Sequence, residues 1–250
     1  VEASYDARLR RLVDEMHASV LYWVRAAYRR EGDRIEALSG LASDARPGTA
    51  LIKVIRGLRR RWLARFDEAS QDLARYFAKA VWQRSDAELR KILRRGSISV
   101  EFKVSREVRD ALSAIVHENV SLIKSIPEQY LAQVEASVMR SVSSGRDLAT
   151  LTDDLIYQHG VTRRRAELIA IQQNNSATGA IQRLQYLDAG IERAIWRHSH
   201  AGKYKRPTHV ANDGKEYDVR QGWWDPHERR YIRTGELIHC RCFSQPILPR

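Results

Sequence analysis

From Leu9 to Ala27 the apolar positions are Leu9, Leu12, Val13, Met16, Val20, Trp23, Val24 and Ala27. Steps of three and four put them on one helical face, which predicts a helix over residues 7–30. Gly, Ser and Asp then become frequent and Pro47 follows, so residues 31–50 read as a loop with one short helical turn. A second stripe runs through Leu51, Ile55, Leu58, Trp62, Phe66, Ala69, Leu73, Tyr76, Phe77, Ala80 and Val81. It predicts a helix of about nine turns ending near Arg84, with Gly57 as a soft point. Ser85 to Arg95 is again helical and stops at Gly96.

The period changes at Ser97. Ile98, Val100, Phe102 and Val104 alternate, which is a strand signal. Helical spacing returns at 105–124 with Val108, Leu112, Ile115, Val116, Val120 and Ile123. Pro127 suits the first turn of a separate helix carrying Tyr130, Leu131, Val134, Val138 and Val142. Ser143–Gly145 breaks the chain and Asp147 can cap a further helix. Gly160 is placed to end that helix and Thr162 to cap another, Arg163 to Asp188. Beyond Gly190 the helical period fades into short strands and turns. The expected fold is a mainly α N-terminal region with long amphipathic helices, residues 1–145. A small α+β C-terminal module occupies 146–250, with helices over 146–189 and the α+β end over 190–250.

Composition supports a folded chain. Of 250 residues, 43% are hydrophobic and 30% charged, which suits a globular core rather than disorder. No apolar run is long enough to span a bilayer, and no signal-peptide core opens the sequence, so no membrane partner is expected. The formal net charge of +12 makes a polyanion the natural partner. Lys53, Arg56, Arg59, Arg60, Arg61 and Arg65 concentrate that charge on the second helix. They read either as a solvated basic face or as a face for double-stranded DNA or an acidic protein surface.

The two cysteines, Cys240 and Cys242, are one residue apart. That spacing makes a strained disulfide and no disulfide scaffold, and it fits a reduced, intracellular environment. In an extended segment their side chains share one side. Two thiolates so placed can hold a structural zinc with two further ligands, His198 being a candidate for the fourth. His200, His239 and Asp213 compete for that fourth place. Read without a metal, both thiols are small buried hydrophobes, and His209 ties the Asn212-Asp213-Gly214 turn to the C-terminal strand. His209, Arg206, Lys203, Lys205 and His200 would also suit a His-based nuclease. No P-loop, G-x-S-x-G, dinucleotide loop or paired-carboxylate metal site accompanies them, so no enzyme is expected. Of Trp223 and Trp224, one is expected inside and one partly exposed.

An ordered set of residues closes the chain: Trp196, Arg206, Pro207, His209, Gly214, Gly235, Glu236, Cys240, Arg241 and Cys242. It resembles the C-terminal signature of tailed-phage head morphogenesis proteins, the Mu F-like minor capsid family. E-N-V-S-L-I-K-S-I-P at 118–127 and R-A-E-L-I-A-I-Q-Q-N-N at 165–175 resemble the same family. Ile171 and Gln172 depart from its usual Arg and acid or Thr, and His239 from its usual Asn. The resemblance implies a structural virion protein at the portal vertex or capsid interior, acting in head assembly, DNA packaging or DNA delivery. It implies portal, major capsid or scaffolding proteins and DNA as partners in an oligomeric assembly. The resemblance of the C-terminal block also implies His209 as the third ligand of a zinc held by Cys240 and Cys242. The alternatives from the residues themselves are a phage-borne His-based or metal-dependent nuclease or toxin, and a zinc-stabilised nucleic-acid-binding module.

Overall fold

The computed structural model describes residues 1–38, 48–96, 104–143, 148–200 and 205–248. Among the described residues the chain is mainly helical and ends in a small region of antiparallel strands, as the sequence predicts. Four long helices come first: α1 Glu2–Leu38, α2 Gly48–Arg95, α3 Arg106–Ser143 and α4 Leu148–Asp188. The short elements are β1 Arg193–Arg197, α5 Pro207–Ala211, β2 Glu216–Asp218, β3 Trp223–Asp225, β4 Arg230–Ile232 and β5 Phe243–Pro246.

The helices are longer and less divided than their breaker residues suggest. α1 runs on to Leu38 through residues expected to be loop, and the two helices expected over 51–95 are one, α2, ending at Gly96 as expected. α3 passes through Pro127 without ending. Buried Ile115, Ile123, Ile126, Tyr130, Val134 and Val138 keep one phase on both sides of it. Proline inside a helix costs about 3 kcal/mol, roughly the gain from burying one or two such side chains, so packing overrides it. α4 likewise passes through Gly160. Thr162 Oγ1 donates to the Gln158 carbonyl at 2.8 Å, so it bonds back along the helix and caps nothing. The strand expected at Ser97–Val104 and the domain boundary expected at 145/146 lie outside the described residues, Val104 itself being irregular.

By contacts the chain divides into two compact units, to each of which α2, α3 and α4 contribute one part. One comprises Ser4–Leu73 and Val120–Leu168, and its described residues are all helical. Its core is the buried face of α1 (Tyr5, Leu9, Met16, Val20, Val24) with Leu51, Ile55, Trp62 and Phe66 of α2, Ile123, Ile126, Tyr130, Val134 and Val138 of α3, and Leu151 and Leu155 of α4. Ion pairs at its edges join α2 to α3 through Lys124–Asp67 and Arg59–Glu135, and α3 to α4 through Arg140–Asp154.

Inside this unit His17 Nδ1 and the Tyr130 hydroxyl share a hydrogen bond of 2.8 Å, and the His17 ring stacks on His159 at 4.0 Å. Asp14 Oδ1 bonds His159 Nε2 at 2.8 Å and lies 3.4 Å from Arg163 Nε. Burial first, and the neighbouring His159 second, push the His17 pKa down to about 4, with Asp14 opposing. The folded ring therefore resists a proton that the unfolded chain accepts below about pH 6.5. Its contribution is complete above that pH and is lost as pH falls through about 4, on the order of 2–3 kcal/mol in total. Urea unfolding between pH 7 and 4 should show this slope, and His17→Gln should flatten it. Equal slopes in the two proteins would mean that other groups set the acid sensitivity.

The second unit comprises Val1–Ala3, Ala74–Asn119 and Ile169–Arg250. Its sheet has the order β2-β1-β5, antiparallel throughout, with Trp196 paired to Ser244 across β1 and β5. β3 and β4 form a separate hairpin. The core gathers Trp196, Ala194, Tyr217, Val219, Ile232, Leu237, Cys240 and Cys242 with Tyr186 of α4 and Leu89 and Leu93 of α2.

Candidate functional site

β1 is the central strand of its sheet, which buries every second residue, and Trp196 is its largest inward side chain, with no exposed surface. The turn after α5 is tied to it: Gly214 N–H donates to the Trp196 carbonyl and Trp196 N–H to that of Lys215. Pro207 opens α5, where a missing N–H costs nothing, and His209 is its buried residue. The His209 ring meets Trp196 edge to face, 5.2 Å between centroids.

The sulfurs of Cys240 and Cys242 each lie 3.5 Å from His209 Nδ1. All three residues are buried, and their ligand atoms lie within 4.8 Å of one another. On the other side of the ring, His209 Nε2 is 3.4 Å from Oδ2 of Asp225, a carboxylate with no exposure. The pair is close but misaligned, and Nε2 has no hydrogen-bond partner. Asp225 is held in turn by the Thr208 hydroxyl and the backbone N–H of His227. The proximity of the two thiols acts on them in opposite directions. The Cys242 thiol, and then His209, hold the Cys240 thiol well below its usual range against the effect of burial. The same proximity, with burial and the Cys240 charge, pushes Cys242 up.

Of the sequence candidates, Cys240, Cys242 and His209 are thus brought together, and His198 stands outside that cluster among the described residues. His198 Nδ1 accepts the His200 N–H at 3.1 Å, and its own N–H donates to Asp213 Oδ1. His200 Nε2 pairs with Asp213 Oδ2 at 3.2 Å, and His239 is exposed. Lys203 lies outside the described residues. Asp225 was invisible at the sequence level. Its one signal, an Asp before Pro226 that favours a turn, carries nothing about His209.

Residues 132–244 match the sequence model of the phage Mu protein F like family. The chain carries a Mu F-like region. That family is one of structural phage head proteins. An uncharacterised protein of Haemophilus influenzae is 28% identical over 154 residues, which is 60% of this chain and 32% of that protein. The chain therefore spans about a third of the length of the curated relative it matches. No solved structure matches.

The remaining signature residues of the Mu F-like region build the scaffold around this cluster. Arg206 donates to the Ile238 carbonyl at 2.9 Å, clamping the start of α5 to the segment before Cys240. Glu236 accepts the Arg233 N–H and pairs with Arg230. Arg241 lies 3.9 Å from Glu2. Gly235 has φ +78°, and a Cβ there would stand 2.3 Å from the Asn175 carbonyl oxygen of α4. Only glycine lets that loop lie on the helix backbone, where Ser176 Oγ donates to the Gly235 carbonyl. The E-N of residues 118–119 holds Gln173: Glu118 accepts from its amide at 2.9 Å and Asn119 donates to it at 2.9 Å. Two departures from the family pattern touch, since Gln172 Oε1 accepts the His239 N–H at 2.9 Å. A side-chain amide here takes the place where an acid or Thr is usual.

The basic candidates belong to the helical unit. Lys53, Arg56, Arg60, Arg61 and Arg65 are exposed, whereas Arg59 is half-buried and lies 3.9 Å from Glu135. At 100° per residue, Lys53, Arg56 and Arg60 lie along one stripe, and Arg61 and Arg65 along the adjoining one. Exposed Asp67 and Glu68 end the basic run. Trp223 packs on the core of its unit, and Trp224 turns outward, 49% exposed, against Tyr231.

Proposed function

We propose that this chain is a minor capsid, head-morphogenesis protein of a tailed phage or related particle. It works at the portal vertex or capsid interior, in head assembly, DNA packaging or DNA delivery. The observation that carries the reading is the Mu F-like match over residues 132–244. Three features support it. The exposed basic stripe of α2 suits sequence-independent contact with packaged DNA. The net charge of +12 favours association with acidic surfaces. The outward Trp224–Tyr231 pair offers aromatic area of the kind enriched where proteins dock. No described helix is long and apolar enough to cross a membrane.

Co-expression with the portal protein of the same particle tests this reading. The two are expected to co-purify at moderate salt, and Trp224→Ala should weaken the association without unfolding the protein. Failure of folded protein to associate with portal, major capsid or scaffolding protein at any salt would count decisively against it. Cleavage of plasmid DNA or RNA by the pure protein, lost in His200→Ala, would replace it with the nuclease reading.

A further inference from the structure

We infer that His209 Nδ1, Cys240 Sγ and Cys242 Sγ form a binding site for one zinc-class divalent ion, with Asp225 orienting the histidine from behind. The distances are those of a site built around an ion. Zn–S bonds of about 2.3 Å and Zn–N bonds of about 2.0–2.1 Å at the tetrahedral angle separate sulfur from nitrogen by about 3.6 Å. Both sulfurs stand 3.5 Å from the same nitrogen. A ring nitrogen has one proton or one lone pair, so it cannot make two good hydrogen bonds to two thiols in different directions. An ion between the three atoms satisfies all of them.

The far side of the ring fits the same assignment. A metal on Nδ1 fixes the proton on Nε2, and that atom faces the buried Asp225 carboxylate at 3.4 Å. A small tilt of the ring makes this the carboxylate–histidine–metal relay that sets tautomer and basicity at zinc sites. Nε2 is otherwise a buried donor without a partner among the described residues. The cluster joins three separate segments: α5, the turn before β5, and the residue that enters β5. An ion here cross-links those segments of the module.

His198 is not the fourth ligand. Its Nδ1 accepts a backbone N–H, so a neutral ring carries its proton on Nε2 and offers no lone pair there. The fourth position falls to a water. Binding releases the remaining thiol protons to solvent, two thiolates balancing the charge of the ion, so affinity should fall as pH is lowered.

The test uses the full chain, untagged, reduced and stripped with chelator, then titrated with Co²⁺. One equivalent should bind, with intense near-ultraviolet thiolate-to-cobalt absorption and visible bands of tetrahedral strength, all abolished by one equivalent of Zn²⁺. Cys242→Ser should lose most of the thiolate band. Asp225→Asn leaves every ligand in place and should weaken Co²⁺ binding by about 10–100-fold with unchanged stoichiometry. Folded wild-type protein that gives no thiolate–cobalt absorption overturns the site. So does a Cys242→Ser spectrum equal to wild type, or full-strength binding in Asp225→Asn. Isolation of the unreduced protein with two hydrogens fewer, unable to bind Co²⁺ after reduction, would make the pair a redox dithiol instead.

Discussion

Trp196→Ala is expected to cost the protein about 3–5 kcal/mol of stability, the range for removing a large aromatic from a closed core. Trp196 has no exposed surface and lies on the central strand of the sheet. Its ring touches His209, Tyr217 and Trp223, with centroids 5.2, 5.8 and 5.5 Å away. The strand bonds on both sides of it limit collapse into the space left behind, so most of the cavity should persist. Near-ultraviolet circular dichroism and urea unfolding would report the loss. Trp196→Phe, which keeps a ring against His209, should retain most of the stability. A cost below about 1 kcal/mol for Trp196→Ala would show that the module closes on itself without this side chain.

The second large effect is expected on DNA. With Arg56, Arg60 and Arg61 all changed to Glu, affinity for duplex DNA should fall at least about 100-fold near 0.1 M salt. The slope of log affinity against log salt should flatten by about three, close to one for each phosphate no longer neutralised. Binding by the unaltered protein should show little preference for sequence, because phosphates carry none. Arg59→Gln is the internal control: Arg59 is half-buried beside Glu135, and losing it should barely move the slope. A triple variant with an unchanged slope would assign this stripe to solvent or to a protein partner.

Much of this architecture was legible because long helices repeat one simple pattern. Of the stripe from Leu51 to Val81, α2 buries Leu51, Ile55, Leu58, Trp62, Phe66, Phe77 and Val81 and half-buries Ala69, Leu73, Tyr76 and Ala80, and Gly96 ends it. What misled was local punctuation. Pro127 and Gly160 are strong stop signals for an isolated segment, yet each is a single unfavourable residue inside a stripe of buried ones. The decisive partners lie tens of residues away in sequence, as His17 with Tyr130 shows. At the site, the C-R-C spacing and the marked position of His209 were enough to anticipate the three-residue cluster. Asp225 was not, because its role depends on a hairpin whose docking no local pattern encodes. The bond from the His200 N–H to His198 Nδ1 was equally beyond local pattern.

The core of the C-terminal unit includes Leu89 and Leu93, which lie on α2 and therefore before the stretch that matches the family. They share that core with Tyr186, Ile191 and Trp196, all inside the stretch. The portable piece of sequence and the piece that folds are thus different objects. A fragment cut at the family boundary would leave one wall of its interior facing water, an apolar patch of the kind that drives aggregation. Anyone grafting this region onto another protein must carry the second half of α2 with it, although the two segments are separated by the whole first half of α3.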